Sequence, residues 1–209
     1  MKLADVDDAL YEALCERLVP AGFVAKKEDY SLVRHVHFGF QEVIYALYGY
    51  APPFVFSFAF AIRFDAIHNL VAPFLGILPK SWDLAFTIHV NSTDLIGKEL
   101  KPLVGSLEEV AAAVRTFDTF FQEYVIPFFD KHSSLEAAEY LLNHDPSYKT
   151  TGDFVQHAIC GVAAAALCRR PDFNEIVARY REELSGYIKP ARDRFEAAVA
   201  HVTAHALQL

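Results

Sequence analysis

The stretch Phe54-Val55-Phe56-Ser57-Phe58-Ala59-Phe60-Ala61-Ile62-Arg63-Phe64 limits what this chain can fold into more than any other. Side chains on a strand alternate between faces, so Phe54, Phe56, Phe58, Phe60, Ile62 and Phe64 point one way and Val55, Ser57, Ala59, Ala61 and Arg63 the other. As a helix the same residues would scatter phenylalanine around the whole barrel. Burying six large apolar side chains contributes about 9–18 kcal/mol, against about 11–22 kcal/mol for fixing eleven backbones. The strand therefore needs paired neighbours and a helical layer over its phenylalanine row. Its other face is small, which calls for a closely approaching second layer or a shallow concavity beside Arg63.

The remaining sequence supplies such neighbours. Val6, Leu10, Leu14 and Leu18 recur every four residues and mark a helix that Pro20 and Gly22 stop. Phe23 to Lys27, Tyr30 to His37 and Phe40 to about Tyr48 read as strands, with Phe38-Gly39 as a turn and Gly49 to Pro53 as a second turn. Asp65 is placed to cap a helix through Ile67, Leu70, Val71 and Phe74, and Leu84 to Val90 alternates as a last strand, ended by Asn91 to Asp94.

After about Leu95 to Gly105 no strand pattern is legible. Ser106 with Glu109 opens a long helix that Pro127 should end or kink, and Ser133 with Glu136 opens a short one. Thr150 or Thr151 starts a helix of small residues, and Phe173 to Leu184 and Tyr187 to His205 complete a helical half. The expected fold is α+β: an antiparallel meander sheet of about five strands with an N-terminal helix, followed by an all-helical C-terminal half packed on it. Residues 1–105 form the sheet region and 106–209 the helical region, with the long helix across the sheet joining them into one cooperative unit.

Several classes are disfavoured by composition. With 53% hydrophobic and 14% aromatic residues the chain is globular and not disordered. A net charge of -8 and a pI near 5.5 argue against a general electrostatic grip on nucleic acid or anionic lipid. The apolar runs are shorter than the roughly 20 residues of a membrane span, and the first eight residues lack the apolar region of a secretory signal. Cys15, Cys160 and Cys168 have no metal-type spacing, so they are read as reduced thiols in a cytoplasmic protein.

A pattern of loose motifs runs through about two-thirds of the chain. Gly22-Phe23 follows the first helix, then come Tyr30 with Arg34, Phe40-Gln41, the aromatic strand, and Ile126-Pro127-Phe128-Phe129 on a later helix. In this order they resemble bacterial cytoplasmic proteins of a domain-of-unknown-function family. The resemblance implies a fold and a compartment and carries over no catalytic residue.

Candidate chemistry is sparse. With a turn at Phe38-Gly39, His35 would lie opposite Glu42, an arrangement that favours the imidazolium. His35 and His37 could offer two imidazoles to a metal, but no third ligand follows, and solvent-facing strand histidines are the plainer reading. His201 and His205 lack the intervening glutamate of a zinc-protease helix, and Lys149-Thr150-Thr151-Gly152 has phosphate-loop residues in the wrong order. Neither a metal nor a cofactor is expected.

Arg34 and Arg63 interrupt runs otherwise suited to a core or small-residue face. Each guanidinium wants an internal acid such as Asp65 or Glu42, or an anionic ligand held near Ser57, Thr87 and His89. The candidate ligand-binding residues are therefore Arg34, His35, Arg63 and His89. The acidic charge, the aromatic excess and the lack of a catalytic set point to a non-enzymatic binding or interaction module with a protein partner or a second copy of the chain. The alternative is an enzyme acting on a small anionic substrate through those four residues.

Overall fold

The computed structural model describes residues 2–146, 148 and 153–206. The strands are β1 (Val24–Lys26), β2 (Ser31–Val36), β3 (Gly39–Tyr48), β4 (Phe54–Phe64), β5 (Ile88–Asn91) and β6 (Leu103–Val104). The helices are α1 (Leu3–Leu18), α2 (Asp65–Val71), α3 (Ser92–Ile96), α4 (Leu107–Phe120), α5 (Ile126–Lys131), α6 (Leu135–Asn143), α7 (Phe154–Leu167), α8 (Phe173–Glu183) and α9 (Lys189–Ala206). The fold is α+β, with an antiparallel sheet in the order β1-β2-β3-β4-β5 and β6 paired to β4. The backbone divides into two compact units: the residues up to Ile62 with Val90–Lys131, and Arg63–His89 with the residues from His132 onward.

In the first unit the phenylalanine row lies under a helix as its alternation demands. Phe56 and Phe60 are fully buried, and Phe58 nearly so. The Phe58 ring stands 5.3 Å from Phe117 and 5.7 Å from Phe120, while Phe60 lies 5.9 Å from Phe120, 6.3 Å from Phe121 and 6.5 Å from Phe129. Edge-on and tilted pairs at these separations add to the area term. The stripe Val6, Leu10, Leu14 and Leu18 is buried on α1, which packs against α4 and β3.

Ser106 caps α4 by accepting from Glu109 N at 3.2 Å. The α-helical ladder ends at Phe120, and Phe121–Val125 form a π-helical turn before α5. Pro127 is the second residue of α5, so the π-helical turn falls just before the residue that lacks an N–H.

Several local expectations need correction. The β2–β3 loop is His37-Phe38, because Gly39 at φ 149° already pairs with Val36 as the first residue of β3. That slides the register by two residues, so His35 faces Phe40, and Glu42 faces Val33. Asp65 does not cap α2 through its side chain; it accepts from Arg63 Nε at 2.8 Å. Pro79–Leu84 form a 3-10 turn held by Trp82 Nε1 donating to the Ile77 carbonyl, so the strand starts only at Ile88. Thr87 instead accepts from Phe64 N through Oγ1 at 3.0 Å.

Beyond Leu95 the short β6 was not legible, since two residues carry no period; it pairs Phe54 with Val104 and Val55 with Leu103. Ser134, not Ser133, caps α6. The expected start of α7 at Thr150 or Thr151 lies outside the described residues, within which Asp153 caps α7 by accepting from Val155 N.

Candidate functional site

The sequence-derived residues each have local partners. In the first unit Arg34 donates from Nε and Nη2 to Gln41 Oε1 at 2.9 and 2.6 Å, and its guanidinium lies 5.0 Å from the Phe23 ring centre. His35, adjacent on the strand and so on the opposite face, is exposed with its ring edge-on to Phe40 at 6.5 Å. In the second unit Arg63 binds Asp65 and donates from Nη1 to the Trp82 carbonyl at 3.0 Å. His89 stacks on Phe86 at 5.1 Å, and its backbone meets the Tyr148 phenol. His201 and His205 stack at 4.1 Å, with Phe74 against His201. Among the described residues no group of three or more His, Cys, Asp or Glu is placed to hold a metal ion.

A different polar cluster lies in the second unit, where α6, α7 and α8 meet. The small residues of α7, from Ala158 to Ala166, are buried and let its neighbours approach closely. The limit is reached at Gly161: a β-carbon there would stand 2.5 Å from Tyr180 Oη and 2.7 Å from Asn143 Oδ1. Glycine leaves room for Asn143, the last residue of α6, to donate from Nδ2 to the Gly161 carbonyl at 2.9 Å and to Glu139 Oε1 at 3.1 Å. Those two bonds fix the amide, so Oδ1 faces Tyr180. Glu139 is buried and also meets His144 Nε2 at 3.1 Å, with Arg170 Nε 3.8 Å away.

The Tyr180 hydroxyl lies 2.9 Å from Asn143 Oδ1, 3.0 Å from the Leu142 carbonyl and 3.2 Å from His157 Nε2. Carbonyl oxygens only accept, so the single phenolic proton is drawn to Asn143 or Leu142, which leaves Tyr180 Oη a lone pair for an Nε2–H of His157. This arrangement favours the Nε2–H tautomer, in which Nδ1 is a lone-pair acceptor. Nδ1 is buried and has no hydrogen-bond partner. Burial pushes the His157 imidazole down to about 4, with Arg179 acting the same way and the Leu142 carbonyl opposing. Burial likewise raises the Tyr180 phenol. At neutral pH both groups are uncharged.

Around this pair is a cleft of about 300 Å³ lined by His144, Asp145, Tyr148, Phe154, His157, Arg179, Tyr180 and Glu183, among others. Three rings surround His157 there, Phe154 stacked at 5.8 Å, Tyr148 at 5.6 Å and Tyr180 edge-on at 5.8 Å, and the charged Arg179 and Glu183 line the same cleft. Such a site suits a planar molecule carrying one hydrogen-bond donor. The signal for it in the sequence is slight: His157 and the adjacent Gln156 are the polar residues in the largely small and apolar run of α7, while Tyr180 reads as an ordinary core aromatic.

Tyr180→Phe strips a donor from two carbonyls and an acceptor from His157. Leaving buried groups unpaired costs about 1–3 kcal/mol, so the urea midpoint should fall correspondingly, without a change in slope. An unchanged midpoint would show that the three contacts are not made in solution.

The chain was compared with protein-family models, with curated proteins and with solved structures, and it matches none of them.

Proposed function

We propose that the protein is a non-enzymatic binding module that takes up a small planar ligand in the aromatic cleft of the second unit. The observation that carries this reading is the buried, unpartnered Nδ1 of a histidine whose Nε2–H tautomer its neighbours favour. A ligand N–H or O–H donated to that lone pair would satisfy it, between Phe154 and Tyr148. Tyr148 is half-buried, with its hydroxyl 3.3 Å from the backbone N and O of His89.

A binding role fits the chemistry better than turnover. A base at about 4 is a feeble proton acceptor near neutrality. The Cys160 thiol on the same helix is pushed up to about 12 by burial and offers no thiolate. The anionic-substrate alternative has less support, because Arg34 and Arg63 already hold internal partners.

The test is a protein-observed NMR titration with 2-pyridone, N-methyl-2-pyridone and inorganic phosphate. The expected result is saturable shifts at His157, Tyr148 and Phe154 with 2-pyridone, weakened about tenfold by N-methylation, as loss of one hydrogen bond implies, and abolished in His157→Phe. Equal effects of the two pyridones would count against the reading. So would phosphate shifts centred on Arg34, Arg63 and His89, which would favour an enzyme for an anionic substrate.

A further inference from the structure

The first unit contains a second cleft, of about 400 Å³, lined by Leu3, Ala4, Asp7, Tyr30, Tyr45 and Leu47. Tyr45 on β3 is only 1% exposed, yet its hydroxyl has no hydrogen-bond partner. Asp7 on α1 has a buried Oδ1 in the same condition. Two neighbouring polar atoms left bare in one wall are costly to folding unless something uses them.

The nearest internal cation does not. Lys27 binds Asp8 at 2.6 Å, with its ammonium 5.0 Å from the Tyr11 ring centre. Asp8 carries that bridge, while Asp7 keeps a buried oxygen without a partner. Tyr30, half exposed, packs edge-on against Tyr45 at 5.7 Å and lines the same cleft.

We infer that this cleft binds a primary alkylammonium group, its N–H donors shared between Asp7 Oδ1 and Tyr45 Oη and its alkyl stem lying along Leu3, Ala4 and Leu47. A carboxylate beside two tyrosine rings offers charge, an oxygen acceptor and π faces to the same cation. Apolar walls reject a fully hydrated metal ion and accept a hydrocarbon stem. The burial that raises the Asp7 carboxyl also leaves it poorly solvated, so a matching cation gains more there than at the surface. This site is separate from the aromatic cleft of the second unit and does not depend on it.

The experiment uses the full chain and n-butylammonium chloride, with n-butanol and sodium butyrate as matched controls, read by NMR of the Tyr30 and Tyr45 rings. The ammonium should bind about tenfold or more tightly than the alcohol, and butyrate should not bind. Asp7→Asn should remove that preference, and Tyr45→Phe should weaken ammonium binding several-fold while keeping its sign. Equal binding of the ammonium and the alcohol would overturn the inference. So would a preference for the ammonium over the alcohol that survives in Asp7→Asn.

Discussion

Phe60→Ala should lower the unfolding free energy by about 3–5 kcal/mol, the range for emptying a large aromatic site that cannot collapse. Phe60 is fully buried in the middle of β4 and is ringed by Phe58, Phe117, Phe120, Phe121 and Phe129, most of them aromatic residues of one helical layer. Rings already packed from several directions cannot all move inward, so a cavity remains. Ala59→Ser, half-buried on the other face of the same strand, should change stability by less than about 0.5 kcal/mol. Urea unfolding of both variants measures the contrast, and a similar loss for each would mean that the two faces of β4 are not distinct.

Acid should produce the second large effect. The imidazole of His157 sits at about 4 in the fold and near 6.5 when the chain is unfolded. Between those values the unfolded chain binds a proton that the folded protein excludes, so stability falls as the pH drops from 6.5 to 4. The slope is about 1.4 kcal/mol per pH unit, about 3 kcal/mol in all, and it vanishes above and below the window. Glu42, raised by burial, works in the opposite direction and is common to wild type and variant. The difference between wild type and His157→Gln therefore isolates the histidine. Parallel pH profiles would mean that His157 is already solvated in the fold.

These two effects differ in how far the sequence announces them. Alternation along Phe54 to Phe64 is enough to require a sheet under a helix, because period two has only one structural reading at that length. The four-residue spacing of Val6, Leu10, Leu14 and Leu18 is equally direct. Register was harder, because glycine at φ 149° permits the β2–β3 loop to close one residue early, and neither hydrophobicity nor charge distinguishes the two closures. A two-residue strand such as β6 has no period to detect.

The aromatic cleft was not legible for a different reason. Its polar atoms come from Glu139, Asn143, His157 and Tyr180, spread over three helices, and what unites them is the space left by Gly161. Conversely, the arginines that stand out along the strands mark internal bonds. Arg63 finds Asp65 as one of its expected partners, and Arg34 finds the amide oxygen of Gln41 in place of a carboxylate.

The binding reading rests on which nitrogen of His157 carries the proton, and two-bond proton–nitrogen correlation spectra of the imidazole observe that nitrogen directly. A neutral ring protonated at Nε2, with its form unchanged from pH 7.5 to below 5, is the expected spectrum, given an imidazole held at about 4. A ring protonated at Nδ1, or one that becomes doubly protonated near pH 6.5, would contradict it.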